Sequence, residues 1–230
     1  MYLPGYYEYD CRVNVISGPG ALEKIPRLLA GLNAESPMIV TDAGVVKAGV
    51  LDTVTAALAD RVSLSAVEDG VPPDSDVHIV NRLAGVYRER RCDSLIAVGG
   101  GSVMDTAKGI NIVVSEGVDD LRQLAGAGAL TRPLKPLIAV PTTAGTGSEV
   151  TLVAVVADPE EKRKMIFTSY FLQPDAAVID PLMTLTLNAQ KTLTAEAAKP
   201  AQPEVVKATE TALGIQTAEE VDTPVTPVHA

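Results

Sequence analysis

The chain has 230 residues, 47% of them apolar and only 3% aromatic with no tryptophan, enough for one domain with an aliphatic core, with or without an appendage. Its 19 basic and 29 acidic side chains leave a net charge of −10; that argues against nucleic-acid binding through a basic face, because phosphate neutralisation needs clustered Lys and Arg. Two cysteines, Cys11 and Cys92, without a CxxC make no disulfide framework, and two histidines, His78 and His229, argue against a multi-histidine metal site drawn from this chain.

The N-terminal string MYLPGYYEYDCR lacks a charged region followed by an apolar one. No apolar run reaches the roughly 20 residues that a membrane helix needs. The expectation is a reduced, cytosolic protein without membrane contact.

Along the chain, short apolar runs alternate with helix-length amphipathic stretches. Residues 13–16 read as a strand closing on Ser17-Gly18-Pro19-Gly20, and residues 21–30 as a helix with Leu22, Ile25, Leu28 and Leu29 on one face. A buried strand at 37–41 closes on Asp42. A helix over 50–58 and a strand over 62–67 follow. The spacing of Val77, Val80, Leu83 and Val86 predicts a helix over 74–90. A strand at 94–98 runs into three glycines and a helix at 102–114, and a further strand at 137–140 ends at Pro141. Residues 150–157 and 163–169 suggest a hairpin around Asp158-Pro159-Glu160-Glu161, and 176–179 a last short strand. This order is β-α repeated, which predicts an α/β, Rossmann-like parallel sheet covered on both faces. From about Ala195 the composition shifts to Ala, Pro, Thr, Glu and Val with no aromatic, which reads as a flexible tail over 195–230 after a domain over 1–194. Within that tail, residues 204–215 could form one amphipathic helix suited to a partner groove.

Three segments carry chemistry. The first is Gly99-Gly100-Gly101-Ser102-Val103-Met104-Asp105-Thr106-Ala107-Lys108. A strand that meets glycines and then a helix lets backbone approach a ligand closely, and the free N–H groups of the first turn suit a phosphate. The plainer reading of Ser102 and Asp105 is an N-terminal capping arrangement, which can hold together with phosphate binding since a cap orders the turn that grips the anion; mere tight packing is the alternative. It is neither a P-loop nor a GxGxxG fingerprint. The second is Pro141-Thr142-Thr143-Ala144-Gly145-Thr146-Gly147-Ser148-Glu149-Val150-Thr151. Its hydroxyls and glycines make a polar loop at the same strand ends, where open α/β sheets bind ligands; the alternative is a loop satisfying its own backbone. The third is Asp42. An acid ending an early strand can bond ribose hydroxyls and repel a 2′-phosphate, or it can cap the next helix.

Those two motifs resemble the signatures of the iron-containing (group III) alcohol dehydrogenase family, GGGSxxDxAK and PTTAGTGSE, in the same order. Supporting stretches are Gly18-Pro19-Gly20-Ala21-Leu22-Glu23, Ile39-Val40-Thr41-Asp42-Ala43-Gly44, Cys92-Asp93-Ser94-Leu95-Ile96-Ala97-Val98 and Pro174-Asp175-Ala176-Ala177-Val178-Ile179-Asp180-Pro181. The resemblance covers about residues 10–194, the nucleotide-binding domain of that family and of the related dehydroquinate synthase type. It implies that Asp42 meets the adenosine ribose and favours NAD over NADP. It implies that Gly99, Gly100, Gly101 and Ser102 hold the pyrophosphate, that Thr142, Thr143 and Thr151 line the dinucleotide cleft, that Asp105 approaches the nicotinamide end, and that Lys164 reaches the nicotinamide ribose. Many family members have Asn where Asp74 stands here, and a carboxylate there is expected to weaken contact with a cofactor phosphate.

The resemblance also implies a following helical domain whose ligands, one Asp, a His four residues later and two further His, hold Fe or Zn. Pro200 and Glu204 fall at the first two of these positions, so the expectation is a chain lacking most of the helical C-terminal domain, with no metal ligands and little or no turnover by itself. The complete reaction would interconvert an alcohol and an aldehyde or ketone with NAD(H). The alternatives are a non-catalytic NAD-binding module, or a truncated fragment with an interaction tail; a dehydroquinate-synthase-like or glycerol-dehydrogenase-like member is a further alternative within the fold. Val153, apolar beside the second loop, argues against a polyol substrate. The resemblance further implies that the first strand, residues 11–17, can pair between subunits in a homodimer.

Overall fold

The structure, a computed structural model, describes residues 11–59, 61–124 and 130–185. Its centre is a six-stranded, all-parallel sheet in the order β1-β8-β5-β4-β2-β3. These strands are β1 (Asn14–Ser17), β2 (Pro37–Val40), β3 (Ala66–Glu68), β4 (Ser94–Gly99), β5 (Leu137–Pro141) and β8 (Ala176–Ile179). A separate antiparallel hairpin joins β6 (Val153–Asp158) to β7 (Arg163–Thr168). The helices are α1 (Ile25–Gly31), α2 (Ala43–Lys47), α3 (Val50–Leu58), α4 (Val77–Glu89) and α5 (Gly101–Glu116). All of these elements belong to one unit; residues 189–230, and with them the expected tail, lie outside the described residues.

The central strands are apolar throughout because both faces are covered. Side chains alternate across a strand, and here each alternate set feeds its own core. Met38, Val40, Leu95, Ala97, Leu137 and Ala139 face a layer built by α4, α5 and the hairpin. Ile39, Ile96, Val98, Ile138 and Val140 face the layer of α1 and α3. From β2 the chain moves outward to β3; from β4 it moves the opposite way, to β5. The carboxyl ends of β2, β4 and β5 therefore flank the switch point at which doubly wound sheets bind ligands.

The expected elements are present with shifted edges. The helix expected over 21–30 is a 3-10 turn, Ala21–Lys24, followed by α1. Pro26 stands in the first turn of α1, the position where a missing N–H costs nothing. The helix expected from 74 starts at Val77, because Asp74 has a φ of +61° and the Asp76 carboxylate accepts from the Ile79 N–H at the N-cap. The strand expected at 62–67 begins at Ala66, since the N–H groups of Arg61 and Val62 fold back onto the Leu58 carbonyl. The strand expected from residue 150 begins at Val153. Among the described residues no helix is long and apolar enough to cross a membrane.

Candidate functional site

Three loops leave adjacent strand ends. Thr41, just past β2, ties that strand to both neighbours, its hydroxyl donating to the Val98 carbonyl of β4 at 2.7 Å and its N–H to the Glu68 carbonyl of β3 at 2.8 Å. Asp42 then caps α2, with Oδ1 accepting from the N–H groups of Gly44 at 2.8 Å and Val45 at 3.0 Å. The capping alternative thus describes one oxygen of this half-buried carboxylate; the hydrogen bonds to it leave Oδ2 uncommitted.

The glycine turn after β4 is shaped by what a side chain would strike. A Cβ at Gly99 would sit 2.5 Å from Val103 Cγ2, and one at Gly100 would sit 3.0 Å from Thr143 Oγ1. One at Gly101 would lie 3.6 Å from both Ser148 Oγ and Thr146 Cγ2. Both long motifs are therefore brought together, the first pressed against the second. The capping arrangement expected from Ser102 and Asp105 is not formed. Gly100 is the N-cap, so α5 begins without a side-chain cap, which leaves its first-turn N–H groups and the positive end of its dipole for an anion. Ser102 Oγ instead accepts from the Asp74 N–H at 3.2 Å, while the Thr106 hydroxyl donates to the Ser102 carbonyl at 2.8 Å and pairs with the Ser75 hydroxyl at 2.7 Å. These contacts fix the turn before α4 beside the glycine turn.

The second loop starts with Thr142, whose N–H bonds the Gly99 carbonyl at 3.0 Å. Among the described residues the buried Thr143 Oγ1 has no hydrogen-bond partner. An unpaired buried hydroxyl is costly, and this one faces the space that a Gly100 side chain would fill. The residues at this edge therefore fit the diphosphate of a nucleotide: a side-chain-free turn, an uncapped helix start and an orphaned hydroxyl.

Asp105 and Lys108 stand one turn apart on α5. Burial pushes the Asp105 carboxyl up to about 6, against the pull of Lys108, a Val155 N–H and Lys164. Burial pushes the Lys108 ammonium down to about 8, against the carboxylates of Asp105 and Glu149. Lys108 is 1% exposed and was not marked as a site residue from sequence. Its signal was a charged side chain in the apolar run Ala107-Lys108-Gly109-Ile110.

The hairpin brings Lys164 to this edge. The Ala157 N–H bonds the Ser75 carbonyl at 2.8 Å, and the buried Asp158 carboxylate takes a two-pronged bond from Arg122 at 3.0 and 3.1 Å, which lowers the Asp158 pKa below its ordinary value. Lys164, on β7, then stands 3.7 Å from Asp74. Among the described residues no group of three or more His, Cys, Asp and Glu side chains is arranged to hold a metal. His78, on α4, is an exposed partner of Glu160 at 3.7 Å. Pro200, Glu204 and His229 lie outside the described residues.

Comparison with known proteins places this geometry. Residues 13–181 match the family model for iron-containing alcohol dehydrogenase. The chain is 41% identical to the 4-hydroxybutyrate dehydrogenase of Cupriavidus necator over 74% of its own length and 44% of that protein's. Among solved structures, a 1,3-propanediol oxidoreductase is 35% identical with a TM-score of 0.75, covering 81% of this chain and 49% of that one. A sulfoacetaldehyde reductase from Bifidobacterium kashiwanohense, solved in complex with NAD+, is 30% identical with a TM-score of 0.69, covering 78% and 47%. The chain spans less than half the length of the curated relatives it matches.

Proposed function

Given that the chain belongs to the iron-containing alcohol dehydrogenase family, we propose that its described part is the NAD(H)-binding portion of an enzyme interconverting an alcohol and an aldehyde. The observation that carries this is the meeting of Gly100 and the unpaired Thr143 hydroxyl at an uncapped helix start. Gly99, Gly100, Gly101 and Ser102 would hold the pyrophosphate against the N–H groups of α5. The free oxygen of Asp42 would bond the adenosine ribose, and its charge would disfavour the 2′-phosphate of NADP. Thr142, Thr143 and Thr151 would line the cleft, Asp105 would face the nicotinamide end, and Lys164 would reach the nicotinamide ribose. When bound, NAD accepts or returns the hydride.

The described residues do not fit a metal. Little or no turnover by this chain alone and a cytoplasmic setting are parts of the same proposal. A homodimer through the first strand is supported by β1 lying at the sheet edge, paired only with β8 among the described residues, with Val15 exposed. The second reading, a non-catalytic NAD-binding module, is favoured by the intact Asp42, glycine and threonine elements.

Calorimetric titration of the 230-residue chain with NAD+ and NADP+ tests the proposal. Asp42→Asn is the control, since Asn keeps the helix cap while removing the charge. Metal-independent NAD+ binding, with the preference over NADP+ lost in the variant, supports it; a folded chain that binds neither overturns it. A dehydrogenase assay with added Fe²⁺ or Zn²⁺ should show little or no turnover by this chain; measurable turnover would overturn that expectation and exclude the non-catalytic module.

A further inference from the structure

Lys108 lies seven residues into α5, about 10 Å beyond Gly101 at its start. Its neighbours Ala107 and Ile110 are fully buried. A lysine is seldom enclosed unless its charge is matched. An ammonium has three N–H donors, and all three go to one short segment: the Thr151 carbonyl at 2.8 Å, the Thr151 hydroxyl at 3.1 Å and the Val153 carbonyl at 2.9 Å. The charges that face it are the carboxylates of Asp105 on α5 and Glu149 in the second loop, with Lys164 of β7 acting on Asp105. Apart from Lys108, the Thr151 hydroxyl has only contacts at 3.5 Å, to the carbonyls of Ser148 and Val153, the outer limit for a hydrogen bond. Thr151 also precedes β6, so its carbonyl belongs to no strand ladder.

We propose that Lys108 is a positioning residue of the dinucleotide cleft, clamping Thr151 and Val153 to the helix that carries the glycine turn and so setting the second loop against the first. This rests on the dinucleotide reading above. In the strand order, β2 with Asp42 and β5 with the second loop lie on opposite sides of β4. Loss of the clamp is therefore felt by the half of a dinucleotide on the β5 side and spares the adenosine half on the β2 side. A lysine that merely filled the core would affect both halves alike.

The test uses Lys108→Met in the 230-residue chain, which keeps the stem and removes the donors. NAD+ and ADP are titrated by calorimetry, and backbone hydrogen exchange is followed without ligand. The expected result is roughly a tenfold loss of NAD+ affinity, ADP affinity within about twofold of wild type, and faster exchange confined to residues 146–153. Equal losses for both ligands, unchanged NAD+ affinity, or faster exchange spread through α5 and the sheet overturn the proposal. If the wild type binds neither ligand, the dinucleotide reading falls and the exchange pattern alone decides the clamp: a rise confined to 146–153 upholds it, and no rise overturns it. If Lys108→Met does not fold, Lys108→Gln, which keeps two amide donors, is measured the same way with a smaller loss and the same split expected. Failure of both variants to fold assigns Lys108 to the core and overturns the positioning role.

Discussion

The Lys164 ammonium on β7 stands 3.7 Å from the Asp74 carboxylate in the turn before α4, so the lysine proposed to reach the cofactor already has a protein partner. The Asp74 backbone that presents this carboxylate is held at φ +61° by the hydroxyl of Ser102, itself part of the glycine-turn motif. Under the proposed role of Lys164, this contact makes Asp74 a competitor for it.

Asp74→Asn therefore strengthens NAD+ binding. Asn tolerates the same left-handed backbone, and the turn is kept. Both partners are well exposed, at 83% and 64%, so the pair is worth under about 1 kcal/mol and the gain is at most about fivefold at low salt. Titrations at low and high ionic strength check this, since screening should erase the difference. Weaker binding in the variant would show that Asp74 contributes to the site rather than competing with it.

Gly99 and Gly100 separate stability from binding. Gly99→Ala forces a Cβ to within 2.5 Å of Val103 in the core and should cost about 1–3 kcal/mol in urea denaturation. Gly100→Ala meets only the Thr143 side chain, at 3.0 Å. It should leave the fold within about 1 kcal/mol of wild type yet fill the space given to the diphosphate, reducing NAD+ affinity by at least about tenfold. Equal denaturation midpoints for the two variants would contradict the packing argument.

Thr143→Val should move stability and binding in opposite directions. The buried hydroxyl has no partner, so replacing it with a methyl group stabilises the ligand-free chain by up to about 1 kcal/mol. The same change removes a hydrogen bond from the bound cofactor and weakens NAD+ binding. Thermal unfolding with and without NAD+ measures both; a destabilised ligand-free variant would mean that the hydroxyl has a partner after all.

Asp105 gives stability a pH signature. Its carboxyl is pushed up to about 6, chiefly by burial, from an ordinary value of 3.8. Between those values the native chain holds a proton that the unfolded chain has released, so stability falls as pH rises through this window. The penalty is fully present above about 6 and absent below about 4, and is on the order of 1–2 kcal/mol after allowance for partial exposure. Urea denaturation from pH 4 to 7, wild type against Asp105→Asn, should show the two curves converging in slope only above pH 6. A constant offset throughout would mean that the carboxyl titrates alike in both states.

Much of the fold was legible because its signals are local. Continuous apolar runs at β2, β4 and β5 announced strands buried on both faces, and α3 and β8 have the expected bounds. Shifted edges arose where one residue overrules periodicity: Pro26 in the first turn of α1, and Asp74 with its positive φ. The glycine motif was legible as a strand-to-helix turn and the threonine motif as a loop leaving a strand, since these pieces follow one another directly in the chain.

By itself, then, the sequence determined the order of elements, the two loop motifs and the acidic side chain ending β2, because propensity, period and turn chemistry act over a few residues. Only the tertiary structure decided which groups meet. It set Gly100 against Thr143, which left a hydroxyl unpaired, turned the Ser102 hydroxyl to Asp74, and gave Lys164 to Asp74. It also enclosed Lys108 beneath Thr151, 43 residues away in the chain. Such contacts depend on strand order and on hairpin docking, and a low-dielectric interior makes each one count.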